Sequence, residues 1–264
     1  MAEFFHKQKL AENYAEGRPS YPPELFQFIA SKTPCHHVAW DVATGSGQAV
    51  VSLAGIYETV VATDVSAEQL AHAQPLPNVH YRHTPPSIPL HELERYVAPP
   101  TSVDLVTVAQ AIHWFDLPSF YGVARHALRR PGGVLAAWCY TLPRVNDQFD
   151  AVIDRFYEIL DPYWAPQRRL VDERYVGLEF PFDPVQGEEH TGPFEFMVTR
   201  EMDLAAVLTY LRSWSAYHTA LEKGVDLLAE AQVGELRRAW GGDAAALKLV
   251  RFPVYLRIGR VGGG

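Results

Sequence analysis

The residues in this chain best placed to do chemistry are Asp41-Val42-Ala43-Thr44-Gly45-Ser46-Gly47-Gln48, with Asp64 seventeen positions beyond Gly47. Glycine at 45 and 47 lets backbone approach a ligand with no Cβ in the way. An acid closing the following apolar run can accept both hydroxyls of a ribose. A dinucleotide site asks for a third glycine or alanine three residues after the second, and Val50 stands there. Asp41 would repel a polyphosphate and attract an ammonium or sulfonium. The ligand implied is a nucleoside carrying positive charge.

Other side chains carry a chemical reading beside a plain one. His113 could orient or deprotonate an acceptor, since imidazole titrates near neutrality, or it could simply bond a loop backbone. Trp114 could wall a cation or pack in the core. Tyr14, Arg18 and Tyr21 read as an N-terminal lid, with Arg18 available to a carboxylate, or as a surface turn rich in proline. Trp164, Trp214 and Tyr217 could line an apolar acceptor pocket or fill a core. The neighbours His36 and His37 cannot easily share one metal and have no ligand partner at a useful spacing, so no metal site is expected. No nucleophile elbow and no phosphate-binding Walker loop is present, which leaves acyl transfer and nucleotide hydrolysis unsupported.

The elements that must position these residues follow from periodicity. Val38–Val42, Thr59–Thr63, Asn78–Arg82, Ser102–Ala109 and Val134–Trp138 are short apolar runs that read as strands. Between them lie helical patterns at Val50–Ala54, from the Ser66 cap to Ala73, and at Ser119–Leu128 before Pro131-Gly132-Gly133. Such alternation predicts βαβ units and a parallel sheet. Before it, Leu25, Phe26, Phe28 and Ile29 mark an amphipathic helix. After it, Phe149–Leu160 predicts a helix, Phe194–Thr199 a strand, Asp203–Tyr217 one helix, Val225–Trp240 another, and Leu249–Val261 a last strand. Pro253 within that strand suits an edge or a bulge.

On these residues the chain resembles a class I S-adenosylmethionine-dependent methyltransferase. The stretch Asp41–Gly47 is similar to that family's first motif with Ala43 in place of its first glycine. The likeness extends to Asp64, the strand Val103–Ala109 and Pro131-Gly132-Gly133. Tyr14, Arg18-Pro19-Ser20-Tyr21-Pro22 and Gln110–Phe115 resemble the branch of trans-aconitate methyltransferase-like and plant embryo-abundant-protein-like enzymes. The resemblance implies an α/β, doubly wound, mostly parallel, Rossmann-like sheet of seven strands. It also implies a helical lid over 1–35, a cofactor core over 36–140, a helical cap inserted over 141–193, and 194–264 completing the sheet.

It implies S-adenosylmethionine as cofactor and S-adenosylhomocysteine as product. Asp41 would lie near the methionyl ammonium, and Ala43, Thr44, Gly45 and Gly47 under the nucleoside and methionyl portion. Asp64 would hold the ribose and Val65 would cover adenine, with Gln110 and Ala111 beside the methionine part and Tyr14 and Arg18 closing over it. Tyr21, Trp114, Trp164, Trp214 and Tyr217 would meet the acceptor, and His113 would be its base. The loop Thr84-Pro85-Pro86-Ser87 departs from relatives, which commonly place an acid there near the adenine amino group. The expected reaction is methyl transfer to a small molecule, on the oxygen of a carboxylic acid or related metabolite. The alternatives are a nicotinamide-dependent oxidoreductase, or a fold that binds the cofactor without turnover.

Composition agrees with a soluble enzyme. The chain has 264 residues, of which 48% are hydrophobic, with 23 Lys+Arg against 31 Asp+Glu and a net charge of −8; its pI is near 5.7. That balance disfavours nucleic acid as partner. Two cysteines, Cys35 and Cys139, allow one bridge at most and fit a reducing compartment. There is no fixed-period repeat. No apolar run reaches the length of a membrane span and the start lacks the order of a secretory signal, so a cytoplasmic protein is expected, a monomer or weak homodimer. Gly262–Gly264 reads as a frayed end.

Overall fold

Seven strands form one sheet in the order β3-β2-β1-β4-β5-β7-β6, within a structure, a computed structural model, that describes residues 21–262. The expected lid residues Tyr14 and Arg18 lie outside the described residues. The strands are β1 (Val38–Val42), β2 (Thr59–Asp64), β3 (Val79–His83), β4 (Leu105–Ala109), β5 (Val134–Tyr140), β6 (Phe194–Met202) and β7 (Lys248–Arg260). β1 pairs parallel with both β2 and β4, and β4 pairs parallel with β5. β7 runs antiparallel to β5. The strand order reverses between β1 and β4, so the crevice beyond their carboxyl ends is where such a sheet holds a ligand.

Helices α1 (Pro23–Ser31), α2 (Val50–Ala54), α3 (Ala67–Ala71) and α4 (Leu117–Ala127) belong to the parallel part. α1 buries Leu25, Phe26 and Ile29 at the spacing that predicted it. Ser66 caps α3 by accepting the N–H of Gln69. All seven residues of β5 are buried, as expected for a strand covered on both faces.

The chain divides into two units. One contains the parallel strands up to Tyr140, the segment Leu170–Phe196, and the end of β7 from Val254. The other contains Thr141–Arg169 and Met197–Pro253. This second unit holds α5 (Asp147–Ile159), α6 (Leu204–Arg212), α7 (Ser215–Glu222) and α8 (Glu230–Trp240). Its interior is aromatic: Trp214 meets Phe156, Tyr157, Trp164 and Tyr210 at ring separations of 5.7 to 6.1 Å. Phe149 packs edge-on against Trp240.

Three expectations are corrected and the one about Pro253 is refined. The single helix expected over Asp203–Tyr217 is two, because Ser213 Oγ donates to the Tyr210 carbonyl at 2.6 Å and Trp214 is extended at ψ 136°. Helix α8 starts at Glu230 instead of Val225, since the Asp226 carboxylate accepts the Leu228 N–H and the Tyr217 hydroxyl and holds that stretch as a turn. β4 starts at Leu105, because the Asp104 carboxylate is drawn to the N–H groups of His37 and Val38 and to Arg129. Pro253 is not on an edge strand, since β7 lies between β5 and β6, but it does fall at a bulge: Tyr140 pairs with Val254 and Arg144 with Arg251, so the three residues 141–143 face the two residues 252–253. Its missing N–H is therefore not required by that ladder. Among the described residues no helix is long and apolar enough to cross a membrane.

Candidate functional site

The carboxyl end of β1 carries Asp41, 1% exposed, whose Oδ1 accepts the Thr107 hydroxyl at 2.6 Å. Register places Thr107 of β4 directly beside Asp41. The other oxygen, Oδ2, is buried with no hydrogen-bond partner among the described residues, and so is Thr44 Oγ1. Burial raises the Asp41 pKa to about 6; the hydroxyls of Thr107 and Thr44 pull it down and the nearby Asp64 charge pushes it up. A buried carboxylate with an idle oxygen is costly to maintain. It is suited to receive a donor or a cation.

The loop after Asp41 is held in left-handed backbone: φ is 54° at Ala43, 59° at Gly45 and 84° at Gly47. Ala43, where the resemblance puts a glycine, accepts this conformation at roughly 1–2 kcal/mol. The Thr44 N–H donates to the Thr63 carbonyl and the Gly47 N–H to the Thr44 carbonyl, which pins the turn to β2. A Cβ at Gly47 would come within 3.0 Å of the Tyr81 hydroxyl.

Asp64 ends β2 and is 9% exposed. Its Oδ2 accepts the Gly45 N–H and its Oδ1 the Ser66 N–H, both at 2.8 Å. One carboxylate thus ties the glycine loop to the cap of α3, while each oxygen keeps acceptor capacity for a further hydroxyl.

A cleft of about 470 Å³ opens beside Asp64. It is lined by Trp40, Val42, Ala43 and Thr63 of β1, β2 and the turn between them, by Val65 and Thr84–Ile88 after β2 and β3, and by Trp114–Asp116, Ser119, Phe120 and Val123 after β4. Among the described residues it carries two carboxylates and no cationic side chain. Such a lining suits a nucleoside and opposes a pyrophosphate.

The structure gathers Ala43, Asp64, Val65 and Trp114 at this cleft, with Asp41, Thr44, Gly45 and Gly47 in the adjoining strand end and turn. Gln110 and Ala111 follow β4; the Gln110 N–H donates to Trp138, its side-chain Nε2 to Tyr140, and its φ is 57°. His113 is buried at 7% exposure, bonds the Tyr175 hydroxyl through Nδ1 at 2.9 Å, and does not line the cleft. Tyr21 packs edge-on against Trp138 and near Tyr140. Trp164, Trp214 and Tyr217 belong to the other unit. Sequence reasoning missed Thr107, Tyr175, Asp116 and Ser119. The first two are joined to their partners 66 and 62 residues away, a pairing that no local pattern signals. No cluster of metal-binding side chains occurs among the described residues.

Residues 40–137 match the family model of the methyltransferase domain. A protein of Dictyostelium discoideum named among the methyltransferases is 33% identical over 94% of this chain and 91% of its own length. One of Saccharomyces cerevisiae, named as S-adenosylmethionine-dependent, is 25% identical over 81% of each. A solved structure from Anaeromyxobacter dehalogenans, named for a type II methyltransferase, is 36% identical and superposes with a TM-score of 0.79 over 94% of this chain and 99% of its own.

Proposed function

The chain belongs to the class I S-adenosylmethionine-dependent methyltransferases, and from that premise we propose that it methylates a carboxylate oxygen of a small acid, with Asp41 and Asp64 as the two anchors of its cofactor. Family membership sets aside the nicotinamide-dependent alternative. The unpartnered Asp41 Oδ2, the left-handed turn at Gly45 and Gly47, and the acidic, cation-free cleft all fit the donor set this cofactor requires.

When bound, S-adenosylmethionine supplies a methyl group made electrophilic by its sulfonium. Asp41 receives the methionyl ammonium on Oδ2, which answers both the idle acceptor and the buried charge. Gly45 and Gly47 let the turn approach the nucleoside, and Asp64 accepts the ribose hydroxyls while its backbone bonds keep it from swinging away. Val65, 55% exposed, covers one face of adenine and Trp114, 51% exposed, lines the same cleft. Gln110 and Ala111 border the methionyl part. Tyr21 contributes to the acceptor side. Holding the reacting atoms in line is the protein's main contribution to rate.

The observation that carries the acceptor assignment is the His113–Tyr175 bond. A hydroxyl acceptor needs a base, and His113, 7% exposed with Nδ1 held by Tyr175, is not among the side chains that line the cleft, so neither ring nitrogen is presented there. A carboxylate arrives already nucleophilic and needs none. His113 then positions the β4 loop. Methyl transfer from radiolabelled S-adenosylmethionine to matched carboxylate, hydroxyl and amine panels tests this. Ester formation on carboxylates, with a kcat at saturating cofactor that is insensitive to pH across the imidazole range, is expected. Turnover confined to hydroxyl or amine acceptors, rising with pH through that range and lost in His113→Phe, would overturn it.

A further inference from the structure

The two carboxylates of the cleft are not equivalent. Asp64 is committed to the backbone of Gly45 and Ser66. Asp116 is the N-cap of α4, a position where a carboxylate ordinarily accepts a helix N–H and adds about 1 kcal/mol. It makes no such bond. It instead accepts the hydroxyl of Ser119, and both side chains line the cleft. The same cleft is lined by Thr84-Pro85-Pro86-Ser87, which has no carboxylate or amide side chain and two residues that lack an N–H.

An amino-purine presents, on one edge, an exocyclic N–H donor next to a ring-nitrogen acceptor. A carboxylate beside a hydroxyl is its complement, the first accepting and the second donating. We propose that Asp116 and Ser119 read the amino edge of the cofactor's adenine and set the enzyme's selectivity for adenosine over a 6-oxopurine nucleoside. Asp116 accepts the exocyclic N–H, and the Ser119 hydroxyl turns from Asp116 to the ring nitrogen. Asp64 does not compete for this task, since its bonds hold it beside the glycine turn. The inference rests on the reading of this cleft as the cofactor's nucleoside site.

The test is calorimetric titration of the full chain with S-adenosylhomocysteine and with S-inosylhomocysteine, in which the exocyclic amine is a carbonyl and the ring nitrogen a donor. The native protein is expected to prefer the adenosyl ligand about tenfold, the difference one hydrogen bond to a charged side chain makes. Asp116→Ala should weaken the adenosyl ligand roughly tenfold and spare the inosyl one. Asp116→Asn, whose amide can donate to the 6-oxo group, should bind the inosyl ligand more tightly than the native chain does. A gain of that kind cannot come from misfolding. An unchanged ratio in both variants would overturn the assignment to Asp116 while leaving the cofactor site intact. Failure of the native chain to bind S-adenosylhomocysteine would overturn the site and this inference together.

Discussion

Asp41 and Asp64 are the same side chain at the carboxyl ends of adjacent parallel strands, and the protein treats them in opposite ways. Asp64 has both oxygens satisfied by backbone N–H groups and sits at the rim of the cleft. Asp41 is sealed in, with one oxygen on Thr107 and the other, among the described residues, close to the Thr44 hydroxyl but in no hydrogen bond of good geometry. Asp64 therefore stabilises the ligand-free fold as well as the ligand. Asp41 works against the ligand-free fold and recovers the cost when a cation arrives. Part of the binding energy is thus built in before the ligand is present, as local destabilisation at a functional site.

Substitutions that separate the two roles should differ in sign as well as size. The largest effect is expected from Asp64→Ala, which removes the ribose acceptor and leaves the Gly45 and Ser66 N–H groups without one. S-adenosylhomocysteine affinity should fall a hundredfold or more by calorimetry, and stability by about 3 kcal/mol in urea denaturation.

Asp41→Asn should weaken the same ligand roughly thirtyfold at pH 7.5, yet stabilise the ligand-free protein by about 2 kcal/mol. The pH dependence follows from the sign of the shift. The Asp41 pKa is higher folded, about 6, than its ordinary 3.8. Its contribution to stability is therefore full below about 3.8 and lost as pH rises through 6. The advantage of Asp41→Asn should be level above pH 6 and shrink by about 1.4 kcal/mol per unit as pH falls from there toward 4. Denaturation of both proteins across that range reads it directly.

Smaller effects sharpen the contrast. Gly47→Ala combines a φ of 84° with a 3.0 Å approach to the Tyr81 hydroxyl. It should cost about 1–2 kcal/mol of stability, with a tenfold loss of ligand affinity. Adding Tyr81→Phe should recover only the contact part. Thr107→Val, the least disruptive, removes the hydroxyl that donates to Asp41 Oδ1. The midpoint of the pH dependence of ligand affinity should move upward, with a several-fold loss at pH 7.

How far these features can be read in the sequence depends on how local their causes are. The turn at Asp41–Gly47 and the Ser66 cap follow from glycine, hydroxyl and carboxylate chemistry within a few residues, and so they were legible. The sheet was legible because its strands are continuous apolar runs. The break at Ser213-Trp214 was not, since a serine inside a helical pattern does not reveal whether its hydroxyl turns back to the Tyr210 carbonyl, as it does here. Nor was the engagement of His113, whose partner Tyr175 lies 62 residues away. Asp116 and Ser119 stood in plain view beside Trp114, but only the fold brings them into one cleft with the proline-rich loop.

The most direct test of the Asp41 assignment is the affinity of S-adenosylhomocysteine between about pH 5 and 7, measured for the native chain and Asp41→Asn. Over that range the free ligand's ammonium stays protonated and its carboxylate ionised. If Asp41 is the ammonium's acceptor, native affinity falls tenfold per unit below about pH 6 and the variant's stays flat. The same slope in both proteins would contradict it, and would mean that the idle oxygen of Asp41 has no part in binding the cofactor.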